Sequence, residues 1–136
     1  MEDVDNVVKI GGASPLFIVR NVRSTLAYYR DKLGWEIAYQ GPEPDDIFFG
    51  IVQRDRAMFM FKDVDIDPVP NYTRDIGHGI ASWDAYVYVP DPDDLYEEFV
   101  SRNVHFKMPL CNNSDDLRGF EVEDINGYII YFGRPN

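Results

Sequence analysis

Two tyrosines and an aspartate alternate along one predicted strand in the second half of the chain. Because successive strand residues point to opposite faces, Asp84, Tyr86 and Tyr88 share one face. The other face carries the mostly small, apolar set Trp83, Ala85, Val87 and Val89. One carboxylate beside two phenols suits ring stacking and contact with an organic cation. It does not suit acid–base chemistry, which needs matched titratable groups.

Other residue types that do chemistry form no recognisable group in the sequence. No Ser–His–Asp or Cys–His arrangement and no recognisable carboxylate pair is evident. Cys111 has no basic neighbour in sequence, so we interpret it as an unreactive thiol. The aspartates of 63–67 imitate the start of a calcium loop. Pro68 stands where that loop needs glycine, and Arg74 where it needs a bidentate glutamate, so a solvated acidic loop is predicted.

The composition is that of one globular domain with a strong negative charge. The chain has 136 residues, of which 45% are hydrophobic and 27% charged. Its 13 Lys+Arg and 24 Asp+Glu give a net charge of −11, which disfavours nucleic acid as a partner; the acidity alternatively serves solubility alone. No apolar run approaches the length of a membrane span, and a single cysteine permits a reducing compartment. We expect a cytoplasmic protein of bacterial type, without membrane or nucleic-acid partners.

The first half of the chain predicts a strand, a helix and three further strands. A β-rich run begins at Ser14, Asn21 is a good N-cap, and Gly34 is placed to end the helix. Offsets of four, three and four put one apolar stripe on that helix: Val22, Leu26, Tyr29 and Leu33. The three strands are predicted at 35–39, 47–53 and 57–61, the first broken by Gly41, Pro42 and Pro44.

The second half predicts the same order. A strand at 83–89 precedes a helix capped by Asp91 with Pro92 at its first position. The buried stripe of this helix is predicted to be Leu95, Tyr96, Phe99 and Val100. Strands follow at 105–108, 118–123 and 128–132, the last two joined by an Asn-Gly hairpin turn. The two helix caps lie 70 residues apart, which indicates an internal duplication: module one at about 14–62, a linker at 63–81 and module two at 82–134.

The residues after the first cap carry a family resemblance. The run Ser-Thr-Leu-Ala-Tyr-Tyr-Arg-Asp-Lys-Leu-Gly-Trp at 24–35 resembles the first helix of the glyoxalase, bleomycin-resistance and extradiol-dioxygenase (vicinal oxygen chelate) superfamily. Arg118-Gly-Phe120 followed by Asp124-Ile-Asn-Gly127 resembles its closing hairpin, and the resemblance spans about 14–133. It implies an α+β fold in which two βαβββ modules form a cupped mixed sheet, with the helices on its convex face and a ligand cavity inside.

The resemblance also implies where a metal would bind. Metal enzymes of this superfamily carry four ligands, on the first and last strands of each module. The matching positions here are Ser14, Met60, Asp84 and Tyr131. One aspartate is too few ligands for a divalent ion, and neither His78 nor His105 occupies a matching position. We therefore expect no metal and no cofactor.

The same resemblance predicts the cavity lining, because Asp84 matches a position that faces the cavity and strand alternation carries the assignment to its neighbours. The predicted ligand-binding residues are Leu16, Ile18, Met58, Met60, Asp84, Tyr86, Tyr88 and Tyr131. An aromatic, thioether and aliphatic lining with one carboxylate suits a flat or cationic ligand. Alternatively, these tyrosines are strand formers in a packed interior.

The leading functional hypothesis is a metal-free protein similar to the bleomycin-resistance branch, whose homodimers sequester a cationic, planar-ring antibiotic without catalysing a reaction. We predict a homodimer with a small-molecule ligand and no catalytic residues. The alternatives are a metal-dependent lyase, isomerase or dioxygenase with a displaced metal site, and a small-molecule sensor or accessory domain. The apolar residues of the arm at 1–12 either lie on a partner subunit or belong to a frayed terminus.

Overall fold

Eight strands and three helices make up the part of the chain that the computed structural model describes, residues 7–74 and 82–136. The first module contains β1 (Leu16–Ile18), α1 (Val22–Asp31), β2 (Glu36–Glu43), β3 (Asp46–Arg54) and β4 (Ala57–Lys62). A single helical turn, α2 (Asn71–Arg74), follows. The second module contains β5 (Ala85–Tyr88), α3 (Pro92–Ser101), β6 (Phe106–Asn112), β7 (Leu117–Glu123) and β8 (Ile129–Pro135). The predicted βαβββ order is confirmed in both halves.

Each module forms its own four-stranded mixed sheet. The strand orders are β1-β4-β3-β2 and β5-β8-β7-β6, and in each sheet the first strand runs parallel to the last while the other pairs are antiparallel. Leu16 pairs with Met60 in the first sheet, and Tyr86 pairs with Tyr131 in the second. Equivalent residues of the two modules are therefore 70 positions apart in the first strands and 71 positions apart in the last strands. The predicted architecture of two βαβββ modules is confirmed, with one four-stranded mixed sheet in each module.

Both long helices begin and pack as their sequences dictate. The Asn21 side chain accepts a hydrogen bond from the Ser24 amide at 2.9 Å, and the Asp91 side chain accepts one from the Asp94 amide at 3.3 Å. The predicted stripe of α1 is buried. In α3 the prediction was wrong for Val100, which is 51% exposed. Its neighbour Phe99 points into the core, and one helical step turns Val100 away from it.

Aromatic rings fill the space between the helices and the sheets. In the first module, the Tyr29 ring of α1 lies 5.0 Å from Phe61 and 5.8 Å from Phe59. In the second, the Phe99 ring of α3 lies 5.3 Å from Phe132 and 5.7 Å from Phe120. Burying such rings is the largest source of core stability, and their edge-to-face contacts add to it.

Two predicted strand boundaries change, and the predicted linker contains a helical turn. Strand β2 continues through Gly41-Pro42, and β6 continues through Pro109. Both strands lie at the outer edge of their sheets, where a proline removes no hydrogen bond of the ladder. In the predicted linker, α2 docks on the second module, because the Asn71 amide donates to Asp84 at 2.8 Å.

The hairpin turn of each module packs against the helix of the other. At the junction that we call the tyrosine junction, the Tyr29 hydroxyl donates to Asp124 at 2.8 Å and the Tyr128 hydroxyl donates to the Ile18 carbonyl at 2.6 Å. At the arginine junction, both terminal nitrogens of Arg54 donate to the Glu98 carboxylate, at 2.8 and 2.9 Å. These contacts hold the two sheets in a fixed relation.

The Arg54–Glu98 pair is expected to contribute about 1 kcal/mol of coupling to the free energy of unfolding, because a bidentate, partly buried pair exceeds a typical surface pair. Arg54 holds the pKa of Glu98 below its ordinary value, so this contribution is present at neutral pH and lost as pH falls through that pKa. A double-mutant cycle with Arg54→Gln and Glu98→Gln, measured by urea unfolding, tests it. Coupling near zero at pH 7 would contradict it.

Candidate functional site

Each sheet has one face under its helix and one face opposite, which we call its open face. On the open face of the first sheet, direct cross-strand neighbours form one apolar row: Leu16, Met60, Ile51 and Tyr39. Leu16 is 50% exposed and Tyr39 is 46% exposed. The predicted residues Ile18 and Met58 share this face, because their strand neighbours Phe17 and Phe59 belong to the core. Tyr39 and Ile51 were missed, because the faces of β2 and β3 were not assigned from the sequence.

The open face of the second sheet carries three aromatic rings in contact, which we call the aromatic stack. The rings of Tyr86 and Tyr131 are parallel to within 7°, with centroids 5.6 Å apart. The Trp83 ring lies 4.7 Å from Tyr131 and 5.9 Å from Tyr86. Its predicted position under the helix was wrong, because β5 begins only at Ala85 and the alternation does not reach Trp83.

Two glycines allow the Tyr131 ring to lie against the sheet. Gly119 and Gly133 are paired across β7 and β8, and a Cβ on either would meet Tyr131 atoms, its hydroxyl at 2.7 Å and its ring at 2.6 Å respectively. Tyr131 is fully buried as a result, and burial raises its pKa to about 12. Its hydroxyl has no hydrogen-bond partner among the described residues. Tyr88, whose register partner is Gly133, is 62% exposed beside it.

Replacing Tyr131 with phenylalanine is therefore expected to stabilise the protein by about 1 kcal/mol, because it removes a buried hydroxyl that lacks a partner. The ring, and with it the stacking surface, stays in place. Urea unfolding of Tyr131→Phe measures the effect, and Tyr29→Phe is the matched control. The Tyr29 hydroxyl has a partner, so its removal should lower stability. Equal losses in both variants would contradict the assignment.

The Asp84 carboxylate is occupied by backbone donors. One oxygen accepts from the Asn71 amide and the other from the Ile129 amide, both at 2.8 Å. Its own amide donates to the Ile129 carbonyl at 2.7 Å. Asp84 thus ties α2 to the start of β8 at the rim of the open face. Its negative charge lies near the aromatic stack, but its lone pairs already serve the fold.

A second carboxylate, Glu121, lies on the same open face. It is 8% exposed, and its register partner on β8 is Tyr131. Burial raises the pKa of Glu121, while nearby Lys107 and a hydrogen bond with Tyr72 oppose that rise. The Lys107 ammonium in turn lies 5.0 Å from the centroid of the Tyr72 ring. Glu121 could have been found from the sequence, because it alternates with the apolar Phe120 and Val122, which are buried under the helix, and so lies on the other face of β7.

The eight predicted site residues are divided between two grooves and the sheet faces. An open groove of 660 Å³ between the modules is lined by four of them: Met58, Asp84, Tyr86 and Tyr88. A smaller groove of 320 Å³ is lined by Leu16, Ile18 and again Asp84. Met60 and Tyr131 line neither groove. The larger groove therefore unites the aromatic residues of the second module with the thioether of the first.

The four positions that the resemblance implies as metal ligands do not fit a divalent ion here. The Asp84 oxygens accept backbone hydrogen bonds, and the Tyr131 hydroxyl is buried beside Gly119. Ser14 and Met60 are weak ligands for such an ion. Within residues 7–74 and 82–136, no three His, Cys, Asp or Glu side chains come together as a metal site. His78 lies outside the described residues.

Comparison with known proteins identifies the family. The family model described as the Glyoxalase/Bleomycin resistance protein/Dioxygenase superfamily matches residues 11–132. The chain belongs to this superfamily. The resemblance inferred from its helix and hairpin motifs is thereby confirmed. No curated protein matches the chain, and none of its described helices is long and apolar enough to cross a membrane.

Several solved structures share the fold. A bleomycin-binding protein from the bleomycin producer Streptomyces verticillus, solved with copper(II)-bleomycin, is 25% identical, with a TM-score of 0.68 over 93% of this chain and 97% of that chain. Another bleomycin-binding protein, solved with bleomycin, is 16% identical, with a TM-score of 0.69 over 93% and 100%. A glyoxalase-related enzyme from Clostridium phytofermentans is 11% identical, with a TM-score of 0.72 over 96% and 99%. The last two show a shared fold alone.

Proposed function

We propose that this protein binds a planar, cationic small molecule on its open sheet faces and sequesters it without catalysing a reaction. The observation that carries the proposal is the aromatic stack, in which the buried Tyr131 supports a Tyr86 ring that is itself 40% exposed. A pre-positioned ring with a free face is a ready surface for a flat ligand. Tyr88 extends that surface along β5.

The charge around the stack favours a cation. The net charge of −11 gives the whole chain a negative field, which raises the local concentration of cationic ligands. Glu121 adjoins the stack through Tyr131, and Asp84 lies at the rim of the same groove, whose lining also includes one cation, Arg56. Isolated exposed ion pairs contribute only about 0–1 kcal/mol, so stacking is expected to supply most of the affinity.

The bleomycin-binding neighbours suggest the probe, metal-free bleomycin. We expect saturable binding to the wild-type protein, measured by isothermal titration calorimetry. Combining Tyr86→Ala with Tyr88→Ala should weaken that binding about tenfold or more, since each lost ring contact is worth on the order of 1 kcal/mol.

The matched control is Phe48→Ala. Phe48 is 39% exposed and lies on the same face of β3 as Gly50, which faces α1. Because this is the face opposite the open face, the loss of the Phe48 ring should leave affinity unchanged. Equal affinities of the wild type and the double variant, with both folded, would refute a site on the aromatic stack.

We further propose that the ligand-binding form is a cytoplasmic homodimer. Large apolar residues are exposed on both open faces, including Leu16 and Tyr88, and Ile10 of the N-terminal arm is 95% exposed. Contiguous exposed apolar surface of this kind favours association. Sedimentation equilibrium should therefore give twice the chain mass of 15.8 kDa, and Leu16→Asp should shift the protein toward the monomer. A monomeric wild type at high concentration would contradict the dimer.

The second candidate is a metal-dependent lyase, isomerase or dioxygenase with a displaced site. The buried, raised-pKa carboxylate Glu121 favours it, because such groups occur in active sites. Titration of chelator-treated protein with Zn²⁺, Ni²⁺, Mn²⁺ and Fe²⁺ separates the two candidates. Stoichiometric tight binding of one ion would support the enzyme, and its loss in Glu121→Gln would locate the site.

A further inference from the structure

The two module junctions should be equivalent by duplication, yet they are packed differently. The strand register makes Phe17 of β1 equivalent to Val87 of β5. It also makes Tyr128 equivalent to Ala57, because each lies three residues before the residue that pairs with the first strand, Tyr131 or Met60. The helix caps likewise make Tyr29 equivalent to Phe99. One junction thus has two aromatic rings where the other has a valine and an alanine.

At the tyrosine junction these rings fill the space. The ring centroids of Phe17 and Tyr128 are 4.8 Å apart, and both residues are only 6% exposed. The Tyr128 hydroxyl is fixed by the Ile18 carbonyl. The ring of Tyr128 therefore fills the helix side of this junction, and a groove of 320 Å³, lined in part by Phe17 and Tyr128, remains on the open-face side.

At the arginine junction the same space is open. A cavity of 580 Å³ lies there, within the range of small-molecule pockets. Its walls include Ala57, Val87, Leu95, Phe99 and Phe132, all apolar. It lies on the helix side of the second sheet, away from the aromatic stack. Val87 and Ala57 stand here where the other junction has Phe17 and Tyr128. The vacant space therefore corresponds to the space that an aromatic ring fills at the other junction.

The mouth of the cavity carries a cation that the fold does not use. Arg54 and Arg56 both line the cavity, together with Asp55 between them. Arg54 is neutralised by Glu98. Arg56 forms no ion pair within the described part of the chain. In a chain of net charge −11, an unpaired guanidinium beside an apolar cavity is suited to a carboxylate on an apolar body.

We propose that this cavity is a second ligand site, which binds a small aromatic carboxylate. The ring of the ligand takes the place that the Tyr128 ring has at the other junction, among Val87, Leu95 and Phe99. The carboxylate accepts hydrogen bonds from the Arg56 guanidinium at the mouth. This site lies on the helix side of β5 and the open-face groove on its other side; the two share Arg56, Ala57, Val87 and Tyr88 in their linings, and their proposed ligands have opposite charges.

The probe for this site is 3-phenylpropionate, compared with 3-phenylpropan-1-ol and 3-phenylpropylamine. By NMR titration of the wild-type protein, we expect saturable shifts of the Leu95 methyl signals, with the carboxylate binding at least threefold more tightly than the alcohol and the amine weakest. Absence of saturable Leu95 shifts, or an amine that binds as well as the carboxylate, would overturn the proposal.

Variants separate the ring from the charge. Ala57→Tyr restores the residue found at the other junction and should reduce affinity for 3-phenylpropionate at least tenfold; Val87→Phe does the same from the opposite wall and serves if Ala57→Tyr fails to fold. Arg56→Gln should reduce affinity threefold or more and abolish the preference over the alcohol. Lys9→Gln changes the net charge equally on the exposed arm and should change nothing. Unchanged binding in a folded cavity-filling variant would overturn the proposal.

Discussion

Replacing Gly119 with alanine is expected to lower the free energy of unfolding by about 3 kcal/mol or more. A Cβ at this position would overlap the backbone carbonyl oxygen of Phe132 and would meet the Tyr131 hydroxyl at 2.7 Å. Backbone on a paired neighbouring strand has little freedom to move away. The Tyr131 ring packs directly against the Gly119–Gly133 pair, so the same change should displace this ring and disturb the aromatic stack.

Urea unfolding of Gly119→Ala measures this effect, with Gly12→Ala as the matched control. No atom lies within 4 Å of a Cβ built at Gly12, so that variant should match the wild type in stability. Ligand affinity of any folded Gly119→Ala protein should fall together with its stability. A Gly119→Ala protein within 1 kcal/mol of the wild type would show that the glycine pair does not constrain β7 and β8.

The contribution of Asp124 to the stability of the protein is expected to rise as pH falls from 7 to 4. The side chain is 6% exposed, and burial raises its pKa to about 6, despite hydrogen bonds from Tyr29 and from two backbone amides. The charge of Asp84 adds to the rise. In the unfolded chain this pKa lies near 3.9. As pH falls, the folded state therefore takes up this proton before the unfolded state does. The resulting stabilisation is complete below the unfolded pKa and is lost as pH rises through about 6.

The comparison is with Asp124→Asn, which does not titrate. The difference in free energy of unfolding, wild type minus variant, should increase by about 2 kcal/mol from pH 7 to pH 4, because each pKa unit corresponds to about 1.4 kcal/mol and the unfolded carboxyl is already partly protonated at pH 4. Glu121 titrates in both proteins and cancels. Urea unfolding at intervals of half a pH unit measures this difference. A difference independent of pH, or one that increases toward neutral pH, would contradict the raised pKa.

Local signals were sufficient to predict the fold. Asn21 and Asp91 are caps whose side chains accept hydrogen bonds from backbone amides within one turn. Such interactions depend only on neighbouring residues and can therefore be predicted from the sequence. The Asn-Gly turn likewise specified the β7–β8 hairpin. The strand ends at Pro42 and Pro109 were misjudged, because whether a proline interrupts a ladder depends on edge position, which is a property of the assembled sheet.

The site was predictable only where strand alternation applies. It placed Tyr86 and Tyr131 on one face, as the structure has them. It failed for Trp83, which precedes the strand, and it gave no sign that the oxygens of Asp84 would be occupied by amides of α2 and β8. Contacts between segments distant in sequence, such as the one between Tyr72 and Glu121, have no local pattern.

The open faces are proposed to bind a flat cation through stacked rings without a protein-bound metal. The most direct test is calorimetric titration of chelator-treated protein with metal-free bleomycin. We expect saturable binding that is unchanged by prior chelation and is weakened by the Tyr86→Ala and Tyr88→Ala combination. Absence of binding, or binding that appears only after one equivalent of a divalent ion is restored to the protein, would contradict it.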